Sequence, residues 1–231
     1  MSIKIYKLHF TTPVHFGEKR LSDSQPVIAA DTLFSALFIE TLNLGLDTDF
    51  LLNDLKISDT FPFFKDNYYF PKPLMKIESQ HKDETNYKVF KKLKFLPVNQ
   101  FNSYIAGEID STEAERITSD FQLGEKELLT KVSLQNNEKE GGDAEPYSVG
   151  LFRYHPDAGL YFIAKGSENA LNSLNEVIDA LQYSGIGGKR SAGYGQFECR
   201  ITSDEKVIDL LTQQKGEIIY YCQQLWRKKT T

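Results

Sequence analysis

The feature that most constrains the fold is a glycine-rich loop at residues 185–195, with the sequence GIGGKRSAGYG. Apolar residues at helical spacing precede it at 171–181, and a strand-like run follows it at 196–201. The order is therefore helix, loop, strand. Phosphate-binding loops of nucleotide-cofactor folds have the order strand, loop, helix, so this loop is not predicted to hold such a cofactor.

The chemistry of the loop favours a phosphodiester chain, because five glycines surround a Lys-Arg pair and no acidic residue is present. Glycine lets backbone amides come close to a ligand, and amides beside two cations suit phosphate groups. The residues predicted to contact RNA are Gly185, Gly187, Gly188, Lys189, Arg190, Ser191, Gly193 and Tyr194. The tyrosine would stack on a base. A plain surface connection between helix and strand is the alternative interpretation.

A second loop follows the first predicted strand and adds five candidate RNA-binding residues. These are His15, Phe16, Gly17, Lys19 and Arg20. The aromatic ring would stack on a base, and the cations would neutralise phosphates, which positions a strand without reading its sequence. The histidine would donate to a phosphate or a base.

Composition indicates an ordinary globular protein, since 40% of the 231 residues are hydrophobic and 26% are charged. No apolar run approaches the roughly 20 residues of a membrane span, and no signal peptide is recognisable, so no membrane association is expected. The two cysteines, Cys199 and Cys222, indicate a cytoplasmic protein with free thiols. The net charge of −5 disfavours an isolated nucleic-acid-binding protein, although segregated charges allow one basic face.

Apolar periodicity predicts the order β-α-insert-β-β-α-loop-β along the chain. Ile3–Phe10 alternates as a strand, and a helix with Asp31 as its N-cap follows. Tyr147–Tyr154 and Leu160–Lys165 are predicted to pair with each other, ahead of a helix at Asn169–Tyr183. This order is typical of an α+β, ferredoxin-like (RRM-like) fold.

The predicted domain organisation has one main unit and one remnant. Residues 1–201 form the ferredoxin-like domain, with an inserted lobe at about 57–145. Residues 202–231 are too few for a second ferredoxin-like half, so they are interpreted as a remnant of one.

Several segments outside the glycine loop carry a resemblance to a known family. They are Thr12–Gly17, Ala30–Leu37, Tyr69–Pro73, Glu145–Gly150 and Gly159–Ile163. Together with the loop, these segments resemble the RAMP superfamily of CRISPR-associated proteins. Within it they resemble the fourth Csm subunit of type III-A interference complexes. Residues 218–231 do not resemble that family, and the second half is expected to be shortened.

The resemblance implies a RAMP fold and a non-catalytic RNA-binding role in antiviral defence. It implies that the protein caps the 5′ handle of the guide crRNA. The partners that it implies are the large polymerase-like subunit and a backbone RAMP subunit of the Csm complex. Neither a metal nor a cofactor is expected, since the sequence has no cluster with ligand spacing.

Two other functions are left open by the residues. A metal-independent RAMP endoribonuclease that processes CRISPR repeat RNA would use His15 as its general acid or base, because imidazole titrates near neutral pH. A structural adaptor would instead turn its glycine loop towards protein. The first alternative predicts RNA cleavage, and the second predicts that no RNA binds.

Overall fold

The structure, a computed structural model, describes residues 1–73, 84–133, 145–204 and 207–209. The strands in these ranges are β1 (Ser2–Phe10), β2 (Lys56–Ile57), β3 (Phe61–Phe64), β4 (Asn67–Pro71), β5 (Phe95–Pro97), β6 (Gly124–Ser133), β7 (Glu145–Tyr154), β8 (Ala158–Gly166) and β9 (Phe197–Thr202). The α-helices are α1 (Ala30–Asn43), α2 (Glu84–Lys92), α3 (Phe101–Ile105), α4 (Ser111–Asp120) and α5 (Glu168–Ser184).

The main sheet has the strand order β5-β4-β3-β8-β1-β9, and β2 pairs with β8 beside β3. Neighbouring strands are antiparallel throughout. The four strands β1, β3, β8 and β9, together with α1 and α5, form the β-α-β-β-α-β unit of a ferredoxin-like fold. The predicted α+β, ferredoxin-like class is therefore confirmed.

The predicted pairing of Tyr147–Tyr154 with Leu160–Lys165 is wrong. β7 pairs with β6 along its whole length and forms a separate two-stranded ribbon, whereas β8 pairs with β1 and β3. The second strand of the ferredoxin-like unit is instead β3, an apolar run of four buried residues. A strand that is covered on both faces does not alternate, so periodicity could not identify it.

The range predicted for the insertion contains strands of the main sheet. β3 lies inside the range 57–145, and so do β4 and β5, which continue the same sheet. The bounds of the insertion stay a prediction. The division between a domain at 1–201 and a remnant at 202–231 stays a prediction, because most of the second range lies outside the described residues.

Both faces of the main sheet are buried, by two separate apolar clusters. On one face, α1 and α5 cover side chains such as Tyr6, Leu8 and Phe162. On the other face, Ile5, Tyr161 and Ile163 pack with residues of α3, α4 and the segment after β9, including Val207. Adjacent residues of β1 and β8 thus point into different clusters, as strand geometry requires.

The N-terminus of α1 differs from the prediction, because Asp31 is not its N-cap. The N-cap is Ala29, which has no side-chain oxygen to offer, and Asp31 lies in the first turn. The backbone N–H of Ala30 instead donates to Asp59 Oδ1 at 2.6 Å. A carboxylate near a helix N-terminus stabilises it in either position, so a remote residue performs the capping role.

His9 lies on the sheet face opposite α1 and α5, with its ring edge-on to Phe63 at a centroid distance of 4.7 Å. Burial lowers the pKa of His9 below its ordinary 6.5, and the charges of Lys7 and Arg200 lower the pKa further, while Glu198 opposes them. Folding therefore favours the neutral imidazole.

We expect His9 to make the folded state sensitive to acid. Since its pKa is lower in the folded chain than in the unfolded chain, the unfolded chain binds more protons as the pH falls through about 6.5. The loss of stability caused by His9 is absent above that pH. It grows as the pH falls further, until the pH reaches the pKa of His9 in the folded chain. Urea unfolding at pH 7.5 and pH 5.5 should show a larger loss of stability for the wild type than for His9→Gln. Equal losses would show that His9 is not the responsible group.

Candidate nucleic-acid interface

The glycine-rich loop is closed on itself by backbone hydrogen bonds at its base. The N–H of Gly185 donates to Leu181 O at 2.8 Å and ends α5, and the N–H of Ile186 donates to Gly195 O at 2.9 Å. The N–H of Gly195 then donates to Pro13 O at 3.0 Å. The base of the loop is thus tied to the segment that follows β1, whereas its tip at 190–193 is exposed.

His15 connects the glycine-rich loop to β7. Its imidazole is 7% exposed, and Nδ1 donates to the carbonyl oxygen of Gly150 on β7 at 2.6 Å. Its own carbonyl accepts the N–H of Gly188 at 2.8 Å. A Cβ on Gly188 would lie 2.6 Å from His15 Cδ2, so the ring occupies the space that this glycine leaves free.

The tautomer of His15 follows from its partner. A carbonyl oxygen only accepts, so Nδ1 carries the proton. Nε2 is the nitrogen left for acid–base chemistry, and it lies under Gly17, where a Cβ would be 3.1 Å away.

Phe16 is also buried, with 6% of its surface exposed. Its ring lies edge-on to Phe10 at a centroid distance of 5.8 Å and next to Gly187. The structure therefore places His15 and Phe16 beneath the glycine loop, although the sequence indicated both as RNA-contacting residues. Gly17, Lys19 and Arg20 of the same segment are exposed.

Gly185, also predicted to contact RNA, is buried at the end of α5, where a Cβ would lie 3.0 Å from Tyr194 O. Gly187 and Gly188 are half-buried, and the other predicted residues form the outer surface of the loop. Arg190, Ser191 and Gly193 are exposed, whereas Lys189 and Tyr194 are half-buried. Lys189 has a left-handed backbone, with φ of 61°. This is an uncommon conformation for a residue with a side chain, and it turns the chain into the tip.

The ribbon of β6 and β7 brings two residues to the loop that sequence reasoning missed. Lys131 of β6 lies directly opposite Tyr147 of β7. Lys131 Nζ stands 4.9 Å from the ring centroid of Tyr194, and Lys189 Nζ stands 5.6 Å from that of Tyr147. We call these four residues the lysine–tyrosine cluster. Tyr147 lies in a predicted strand, but no local pattern indicates which strand meets the loop.

The charges around this surface are mainly positive and unpaired. Arg153 of β7 bonds Glu127, with Nη2 donating to Oε2 at 3.1 Å, and this bond raises the pKa of its guanidinium. Within the described ranges, Lys131, Lys189 and Arg190 form no ion pair with a carboxylate. Three cations therefore remain available to an anionic ligand beside the exposed tip.

Neither metal-binding nor membrane-spanning features are found in the part of the chain that the structure describes. No group of three His, Cys, Asp or Glu side chains there lies close enough together to hold a metal ion. No helix in that part combines the length and the apolar character needed to cross a bilayer.

Comparison with known proteins agrees with this architecture. The profile of the RAMP superfamily matches residues 7–198. The CRISPR system Cms protein Csm4 of Mycobacterium tuberculosis is 35% identical over 202 residues, which cover 85% of this chain and 64% of that protein. Csm4 of Streptococcus thermophilus is 32% identical over 230 residues, covering 94% of this chain and 70% of that protein. The chain belongs to the RAMP superfamily and, within it, to the Csm4 family.

Solved structures show the same fold at lower identity. A chain from the crystal structure of a Csm3–Csm4 subcomplex in the type III-A CRISPR-Cas interference complex superposes with a TM-score of 0.60 at 18% identity. It covers 94% of this chain and 74% of its own length. A chain from the crystal structure of a Csm1–Csm4 cassette in complex with cA4 superposes with a TM-score of 0.58 at 19% identity. The match covers 87% of this chain and 70% of that chain. This chain spans less than two thirds of the Mycobacterium tuberculosis relative.

Proposed function

We propose that the protein is a non-catalytic RNA-binding subunit of a type III-A Csm complex, which caps the 5′ handle of the guide crRNA in antiviral defence. The observation that carries the proposal is the glycine-rich loop, whose exposed tip lies beside Lys189, Arg190 and Lys131, three cations that have no carboxylate partner within the described ranges. Such a surface holds phosphates without reading base sequence.

The partners of the proposed complex are a large polymerase-like subunit and a backbone RAMP subunit. Related chains occur in solved structures of a Csm1–Csm4 cassette and a Csm3–Csm4 subcomplex, which supports this part of the proposal. A cytoplasmic location is proposed with it. Cys199 is consistent with that location, since it is a free thiol and burial raises its pKa to about 12, which makes it unreactive.

The non-catalytic assignment depends on the position of His15. The endoribonuclease alternative requires its Nε2 to reach a ribose hydroxyl or a leaving oxygen. The ring is instead buried, with Nδ1 bonded to Gly150 O. Incubation of the protein with end-labelled guide RNA in EDTA should leave the RNA intact, with a gel shift that favours an intact handle over a scrambled one. Discrete cleavage in EDTA would replace this proposal by the nuclease.

Removing Lys189 and Arg190, the two cations of the glycine-rich loop, should weaken RNA binding and reduce its salt dependence. We choose Lys189→Asn with Arg190→Gln, because asparagine tolerates the left-handed backbone at position 189. Each phosphate contact on a single strand contributes a slope of about 0.7 in a plot of log affinity against log salt. The double variant should therefore lose up to about 1.4 of that slope, measured by fluorescence anisotropy with guide RNA.

The matched control is Lys56→Gln with Lys165→Gln. These two lysines lie opposite each other on β2 and β8, at the other end of the sheet, roughly 20 Å along β1 from the loop. The control removes the same charge but should keep the wild-type slope. An equal reduction in both double variants would indicate general electrostatic attraction and would contradict the assignment to the tip.

A further inference from the structure

The lysine–tyrosine cluster combines two rings and two ammonium groups from three different segments of the chain. Lys131 comes from β6, Tyr147 from β7, and Lys189 and Tyr194 from the glycine-rich loop. Each lysine is placed by its ring contact with the tyrosine of the other element. The ribbon and the loop therefore share one surface.

Neither kind of group in the cluster has its full set of partners. Within the described ranges, Lys131 and Lys189 meet no carboxylate, and the hydroxyls of Tyr147 and Tyr194 form no hydrogen bond. All four side chains are half-buried. Their polar groups are therefore left to water, which a ligand can replace.

We propose that this cluster is a binding site for one unpaired nucleotide of single-stranded RNA, and that the ribbon residues Lys131 and Tyr147 are part of it. In the free protein the ammonium groups lie over the rings. When RNA binds, a base stacks on a tyrosine ring and the displaced lysine moves to the adjacent phosphate. The inference rests on the proposed function and adds the ribbon to the RNA site.

The exchange is physically reasonable because the ring and the ammonium group each gain a stronger contact than the one they lose. An exposed cation over a ring is a weak contact, whereas a base stacked on an aromatic side chain is a stronger one. The ammonium group gains a charged phosphate oxygen, and the contact releases a condensed counterion. Any base offers a flat face to the ring, so the site holds a nucleotide without selecting its identity.

Binding of fluorescein-labelled guide RNA to the full chain tests the site. Tyr194→Leu and Tyr147→Leu keep an apolar side chain but remove the ring face, and at least one should weaken binding by about tenfold with the salt slope unchanged. Lys131→Gln should instead lower the slope by about 0.7. Tyr183→Leu is the control, since this ring is 81% exposed on α5 and lies outside the cluster; it should bind as the wild type does.

A guide with one abasic nucleotide identifies the stacked base. The abasic site is moved through the handle one position at a time. At one position it should weaken binding by the wild type. At that position the tyrosine variant that binds weakly should bind the abasic guide as well as it binds the intact guide. If the wild type binds and the variants Tyr194→Leu, Tyr147→Leu and Lys131→Gln all bind with the same affinity, this inference is overturned and the proposed function stands. Absence of binding by the wild type would overturn both.

The exchange itself has a separate spectroscopic signature. A lysine ε-methylene group next to an aromatic ring has upfield-shifted proton resonances, and those of Lys131 should shift back downfield when guide RNA is added. Tyr194→Leu should remove the upfield shift in the free protein. Persistence of the upfield shift in the wild-type complex would show that lysine and base do not exchange.

Discussion

Replacing Gly195 with alanine is expected to destabilise the protein by roughly 3–5 kcal/mol. A Cβ at this position would lie 2.1 Å from the carbonyl oxygen of Ile186, and the backbone has φ of +83°, which favours glycine. The backbone cannot move away freely, because Gly195 O accepts from Ile186 and its N–H donates to Pro13. The loss would be a large share of the total stability of a domain.

Gly193→Ala is the matched control for this prediction. Its φ of +82° is nearly the same, but no atom lies within 4 Å of the place that a Cβ would take. It should therefore carry only the backbone strain, about 1–2 kcal/mol. Urea unfolding followed by circular dichroism measures both variants at one protein concentration. Equal midpoints for the two variants would show that the crowding at Gly195 relaxes at no cost.

The second large effect is expected at His15, where replacement by leucine removes the donor to Gly150. The carbonyl oxygen of Gly150 would remain buried without a partner, which costs about 1–3 kcal/mol. Because the glycine-rich loop rests on this ring, the variant should also bind guide RNA more weakly while it is still folded. Both effects follow from the loss of one ring, which donates to Gly150 O and also lies beneath Gly188.

His15→Asn separates this positioning role from acid–base catalysis. The asparagine amide can place an N–H near the position of imidazole Nδ1, but it cannot act as a general acid or base near neutral pH. It should recover most of the stability and of the RNA affinity that His15→Leu loses. The measurements are urea midpoints and fluorescence anisotropy at a temperature where both variants are folded. An asparagine variant as weak as the leucine variant would show that the donor to Gly150 is unimportant.

Local sequence signals identified the elements whose period is regular. Lysines separate the apolar residues of β1, α5 carries apolar residues at helical spacing, and the glycines between α5 and β9 mark a loop with a special backbone. These signals also carried the resemblance to the RAMP superfamily. Each of them is a property of neighbouring residues, so no knowledge of tertiary contacts was needed to find them.

The pairing of strands could not be predicted from neighbouring residues, and the pairing predicted for β7 with β8 is wrong. β7 and β8 are close in the chain and resemble a hairpin, yet β7 pairs with β6, and β8 pairs with β1. β3 has no alternation to read, because both of its faces are buried. Pairing depends on which backbone edges meet across long stretches of chain, and this is not encoded in a short window.

The chemistry proposed for RNA binding can be read from the sequence alone: glycine amides and cations in one loop, with an aromatic residue beside them. Which of the candidates face outwards depends on tertiary contacts. The tertiary structure places His15 and Phe16 under the loop, since a buried carbonyl and an apolar cluster take up their side chains. It also brings Lys131 and Tyr147 to the loop from a ribbon whose position depends on contacts distant in the chain.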